Sequence, residues 1–116
     1  MTELSKSKMY LGGEWVEPLT GDYFESHNPY TGKPWMLVGR GGEDDANRAV
    51  DAAKKAFHNP EWRDMTPTAR GHLLRKLGDL IAENAEALAK VEVQDNGKLY
   101  AEMHMQMRYA PQWYYY

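Results

Sequence analysis

Cysteine is missing from all 116 residues of the chain. Its absence excludes disulfides, thiolate metal sites and any covalent step through a cysteine nucleophile. Also missing is any apolar run approaching the ~20 residues that span a bilayer, and the polar residues 1–8 hold no apolar core of a secretory signal. Charge of one sign is nowhere concentrated. Fourteen Lys and Arg stand against 17 Asp and Glu, a formal net charge of −3, with the basic residues scattered rather than clustered. That pattern removes the electrostatic footprint for nucleic acid or an anionic membrane. The GxGxxG and GxxxxGK[ST] spacings are lacking too, so Gly12-Gly13 and Gly41-Gly42 read as a turn and a linker rather than phosphate cradles. His27, His58, His72 and His104 show no HExxH or other short ligand spacing. The expectation is a cytoplasmic protein with neither nucleic acid nor membrane as a partner.

What is present, at 42% hydrophobic residues, suffices for one small domain. Residues 1–8 are expected as a polar tail and residues 9–116 as the folded part. Two short apolar runs flank Gly12-Gly13 over residues 9–16, the pattern of a hairpin closed by a two-residue turn. Residues 22–27 are rich in strand formers and end at Asn28-Pro29, where proline cannot donate a ladder hydrogen bond. Residues 30–33 read as a turn, and residues 34–40 as a third strand whose consecutive apolar side chains suggest burial on both faces or a barely resolved alternation.

Past Gly41-Gly42 the apolar period changes from two to about 3.6. Ala46, Ala49, Val50, Ala53 and Phe57 form a narrow stripe behind an acidic first turn of Glu43, Asp44 and Asp45, which suits the helix dipole. Asn59-Pro60 ends that helix. Thr66-Pro67 supplies an N-cap and a proline at the first helical position, and Leu73, Leu74, Leu77, Leu80 and Ile81 are expected to make one buried face. Asn84 is expected to cap a further helix turning Leu88, Val91 and Val93 inward, with Gly97 as its left-handed terminator. A last helix starts near Leu99, with Met103, Met107, Ala110 and Tyr114 on its apolar side and a kink at Pro111. It runs to Tyr116 without a cap or polar tail, which reads as a cut. This stretch of chain is α+β: antiparallel strands, then three or four helices.

Candidate chemistry is thin. Thioethers and imidazole in residues 103–107 could hold Cu(I), but on a helix Met103 and Met107 share a face from which His104 and Met105 point away, which favours packing. The acidic pairs Glu83 with Glu86 and Asp44 with Asp45 read as solvated helix faces. Asp95-Asn96-Gly97-Lys98 lacks the other ligands of a calcium loop. Tyr109, Trp113, Tyr114, Tyr115 and Tyr116 crowd the last helix, either as a partner surface or as packing against a larger fold.

The ordered motifs resemble the opening of the aldehyde dehydrogenase superfamily. A "Y-I-x-G-x-W" hairpin is matched by Tyr10-Leu11-Gly12-Gly13-Glu14-Trp15, and an "N-P-x-T-G" turn by Asn28-Pro29-Tyr30-Thr31-Gly32. The likeness continues through residues 44–57, Trp62-Arg63, residues 70–81, Asp95-Asn96-Gly97-Lys98 and Arg108-Tyr109 to Trp113. The resemblance implies an α/β family fold and an NAD(P)-dependent oxidoreductase that turns an aldehyde into a carboxylate through a catalytic cysteine. It places residues 9–116 in an incomplete N-terminal part of the NAD(P)-binding domain region. In the family's order the catalytic and cofactor-binding positions lie downstream of Tyr116. None is therefore expected here, no cofactor is expected on this chain alone, and the chain alone should be inactive.

The resemblance further implies a structural monovalent-cation site at positions matching Ser26, His27 and Asp95, the first two contributing mainly backbone oxygens. It implies as partners the rest of the dehydrogenase fold or a full-length relative, with a homo-oligomer in the complete protein and NAD or NADP as cofactor. Tyr30 stands where a small residue is usual in the family, and Leu99 where proline is common. The rival reading is a stand-alone interaction module docking on a larger partner.

Overall fold

The structure, a computed structural model, describes residues 3–116. Met1 and Thr2, the first residues of the expected polar tail, lie outside the described residues. Within that tail, Ser5–Ser7 is a strand, β1. Met9–Leu11 (β2) and Glu14–Val16 (β3) follow, paired antiparallel with Tyr10 opposite Trp15. Gly12 and Gly13 between them have φ of +61° and +90°, the two positive values that a type I′ turn demands and that glycine adopts without a Cβ penalty. The Tyr10 and Trp15 rings meet at 5.0 Å between centroids, a cross-strand pair that helps hold the register.

Tyr23–Asn28 (β4) and Lys33–Gly39 (β5) complete a three-stranded sheet ordered β1-β5-β4. Its β1 pairs parallel with β5, Ser5 against Met36 and Ser7 against Val38, so the strands are not all antiparallel as expected. Six of the seven residues of β5 are half-buried with no alternation, as its apolar run suggested for a middle strand. Glu43–His58 is α1, and Pro60–Arg63 is α2, a single turn started by Asn59, whose Oδ1 accepts from the Glu61 N–H at 3.1 Å. Residues up to His27 together with Lys33–Asp64 make one compact unit.

Asn28–Gly32 and Met65–Tyr116 make a second unit. Its first helix, α3 (Pro67–Glu83), begins as expected, with Thr66 Oγ1 accepting from the Ala69 N–H at 3.2 Å and Pro67 in the first turn. Ala85–Asn96 is α4, closed by Gly97 in the left-handed region at φ +72°, whose N–H reaches the Val93 carbonyl. Tyr100–Tyr109 is α5 and Pro111–Tyr115 is α6. The division between these two falls at the proline, which has no N–H to continue the ladder toward Met107.

The helix faces differ from the sequence reading in three places. Leu73, Leu74, Leu77 and Leu80 of α3 are each 43–50% exposed, and the buried residue of that helix is Gly78. Helix α4 buries Ala85 and Ala89 and leaves Leu88 and Val91 37% and 48% exposed. In α1, Val50 and Phe57 lie open while Asp45 is buried. An apolar stripe is buried only where an opposing element exists: in the second unit α3 and α4 are covered at the small residues Gly78, Ala85 and Ala89 instead, and in α1 it is Asp45, tied to Leu19 and Gly42, that is covered. The last helices follow the expected stripe, with Met103 buried, Met107, Ala110 and Tyr114 half-buried, and Met105 exposed. Among the described residues no helix is long and apolar enough to cross a membrane.

Candidate functional site

In the first unit the sequence after β5 turns at Gly41-Gly42, and the third residue of α1, Asp45, folds back over that turn. Its carboxylate accepts from the Gly42 N–H at 3.1 Å and, through both oxygens, from the Leu19 N–H at 3.3 Å, and it receives Arg48 Nη1 at 3.2 Å. The side chain is 3% exposed. The expectation of a solvated face for Asp44 and Asp45 is therefore overturned at Asp45. A carboxylate at the third helical position can satisfy the orphan N–H of the N-cap and sits at the positive end of the dipole. That spacing from Gly42 was the signal available in the sequence; the 26-residue reach back to Leu19 was not.

Beside this knot an open groove of about 920 Å³ runs between the β2–β3 turn and one face of α1, floored by Ala49, Ala52, Ala53 and Ala56 and rimmed by Tyr10 and His58. An added Cβ on Gly12 would touch the Cβ of Ala52 at 3.7 Å, so small residues on both sides set its width. No carboxylate lines it among the described residues. It offers shape without an acid or base pair.

In the second unit the two family-like turns meet. Asn28 Oδ1 accepts from the Tyr30 N–H at 2.9 Å and the Gly32 N–H closes on the Asn28 carbonyl at 2.8 Å, an Asx-type turn. A Cβ added to Gly97 would lie 3.2 Å from Pro29 Cβ, so the N-P-x-T-G turn packs on the end of α4. Asn96 Oδ1 accepts from the Lys98 N–H at 2.9 Å, which fixes the chain leaving Gly97.

Among the ties between side chains in the second unit, two shift the pKa of their members. Lys90 Nζ donates to Glu86 Oε1 at 2.7 Å, and this bond, with the attraction of the charges, lowers the Glu86 pKa and raises that of Lys90. Tyr115 donates its hydroxyl to Asp79 Oδ1 at 2.8 Å; that bond to a carboxylate, with lesser contributions from desolvation and the charges of Asp79 and Glu83, raises the Tyr115 pKa.

Ser26 and His27, expected as cation-contacting positions, lie on β4 in the first unit, and Asp95 lies on the last turn of α4 in the second. Ser26 Oγ accepts from Trp35 Nε1 at 3.2 Å. His27 Nε2 stands 3.3 Å from Glu25 Oε2, both side chains about half exposed. Among the described residues no group of three His, Cys, Asp or Glu side chains comes together to hold a metal ion. His104 stacks on Tyr100 at 5.6 Å and Met105 faces away from buried Met103, so the methionine-rich stretch does not converge.

The sequence model of the family described as "Aldehyde dehydrogenase family" matches residues 15–116. A (Z)-2-((N-methylformamido)methylene)-5-hydroxybutyrolactone dehydrogenase of Acinetobacter baylyi is 36% identical over 113 residues, 97% of this chain and 23% of that protein. An aldehyde dehydrogenase of Aspergillus niger is 43% identical over 96 residues, 83% of this chain and 19% of that protein. Among solved structures, a betaine aldehyde dehydrogenase from Staphylococcus aureus in complex with NAD+ superposes with a TM-score of 0.90 at 35% identity, covering 94% of this chain and 22% of that one. The chain thus spans about a fifth of the length of the relatives it matches.

Proposed function

The chain belongs to the aldehyde dehydrogenase family, and from that premise we propose that it serves as the N-terminal scaffold of an NAD(P)-dependent enzyme oxidising an aldehyde to a carboxylate. Residues 9–116 form the opening part of the nucleotide-binding domain region. The catalytic cysteine is supplied by other parts of the family fold, since this chain contains none. The S. aureus relative was solved in complex with NAD+, which supports NAD as the nucleotide. The complete enzyme works as a cytoplasmic homo-oligomer, and a monovalent cation contacts the backbone of Ser26 and His27 and the carboxylate of Asp95.

The observation that carries this reading is the match over residues 15–116 together with leucine faces on α3 that lie half open. Such faces are what a segment shows when the elements meant to cover it belong to a larger fold. The test is a chimera in which this chain replaces the equivalent segment of the S. aureus betaine aldehyde dehydrogenase. The expected result is a folded, oligomeric protein that reduces NAD in the presence of aldehyde, and no such reduction by the 116-residue chain alone. A chimera that never folds, or turnover by the isolated cysteine-free chain, would overturn the proposal. Replacing Na⁺ and K⁺ by a bulky organic cation should lower the melting temperature of the chimera, and an Asp95→Ala chimera should lose that response.

A further inference from the structure

Helix α6, Pro111–Tyr115, has no side-chain cap. It follows α5 across Ala110-Pro111, where the buried proline has no N–H to continue the ladder toward Met107. At its far end Tyr115 lies flat over Gly78 of α3. A Cβ on Gly78 would come within 2.6 Å of Tyr115 Cε1, a distance real Cβ contacts essentially never show, and 3.1 Å of Cδ1, and the Tyr115 hydroxyl continues to Asp79 Oδ1 at 2.8 Å. Gly71, on the same helix, has open space where its Cβ would be. The glycine at 78 is therefore required by a ring and not by the helix.

We propose that α6 is a strap, hinged at Ala110-Pro111 and latched on α3 by Tyr115, with Gly78 as the seat of the ring and Asp79 as the catch for its hydroxyl. Closing the latch has a consequence on the outer surface. Tyr109 before the hinge and Trp113 after it pack edge to face at 5.9 Å, and with Met105 they form an exposed apolar row along α5 and α6. The latch holds this row continuous across the proline. The raised Tyr115 pKa fits a hydroxyl engaged with a carboxylate, so the closed form retains its phenol proton at pH values where a free tyrosine loses it.

The test is residue-resolved hydrogen exchange on the full 116-residue chain for Gly78→Ala, Tyr115→Phe, their combination, and Gly71→Ala. Gly78→Ala should speed exchange of the Trp113 and Tyr116 amides by about tenfold or more while leaving α4 and the first half of α5 unchanged, as opening of a local unit requires. Tyr115→Phe should give a smaller acceleration through loss of the catch alone, and should add nothing in the Gly78→Ala background. Gly71→Ala should leave α6 untouched. Unchanged α6 exchange in Gly78→Ala would overturn the latch; equal acceleration throughout the second unit would show a general loss of packing and overturn the strap. Full additivity of the two substitutions would remove the link between seat and catch.

Discussion

Asp45→Ala is expected to be the most damaging single change in the first unit. Asp45 is 3% exposed and accepts from two backbone N–H groups and one guanidinium. Removing it strands the Leu19 and Gly42 donors and leaves Arg48 without this partner. A buried donor left unmade costs about 1–3 kcal/mol, and loss of a carboxylate at the helix N-terminus adds about 0.3–1 kcal/mol. Gly42 and Leu19 are themselves exposed, so water replaces part of what is lost, and the net cost should be about 2–3 kcal/mol. For a unit of this size that corresponds to a fall in melting temperature of about 10–20 °C. Asp45→Asn keeps an acceptor and should cost roughly half as much. Thermal denaturation by circular dichroism gives the global loss, and hydrogen exchange at the Leu19 and Gly42 amides gives the local one. A loss below about 0.5 kcal/mol with unchanged protection at Leu19 would mean that Asp45 is the solvated acid its composition suggested.

Three further outcomes follow from the same geometry. Gly97→Ala must hold a Cβ at φ +72° and 3.2 Å from Pro29, so it should destabilise the second unit by about 1–2 kcal/mol, read from a denaturant midpoint at constant slope. Thr66→Ala removes the acceptor for the Ala69 N–H and should cost about 1 kcal/mol, while Thr66→Ser should restore nearly all of it. Because the Lys90 bond lowers the Glu86 pKa, that pair's stabilisation is present above the ordinary glutamate value and is lost as pH falls through the lowered one. Comparing the melting of Glu86→Gln with the parent chain should therefore show a small difference at neutral pH that vanishes in acid, and a difference that grew in acid would contradict the assignment.

Local chemistry was legible in the sequence wherever a residue acts on its own neighbours. Gly12-Gly13 needed no partner to specify a hairpin turn, Thr66-Pro67 to start α3, Gly97 to end α4, or Pro111 to break the last helix, because each works through φ, a missing N–H or a cap within a few residues. The order of those motifs was also enough to identify the family, and the methionines were correctly sorted between packing and solvent by helical period alone.

What only the tertiary structure decided is which groups face a neighbour. Hydrophobic period marks the stripe a helix could bury, not whether an opposing element exists, so Leu73, Leu77 and Leu80 read as core and lie half open, whereas Gly78 reads as nothing and is buried beneath Tyr115. Asp45 reads as surface charge and is buried, because its burial depends on Leu19, 26 residues earlier. Strand β1 was hidden for the same reason: Ser5–Ser7 carries no strand composition, and its partner is Met36–Val38 across the intervening hairpin. A sequence specifies by itself what is settled within a helical turn; contacts across tens of residues depend on shape that no local pattern encodes.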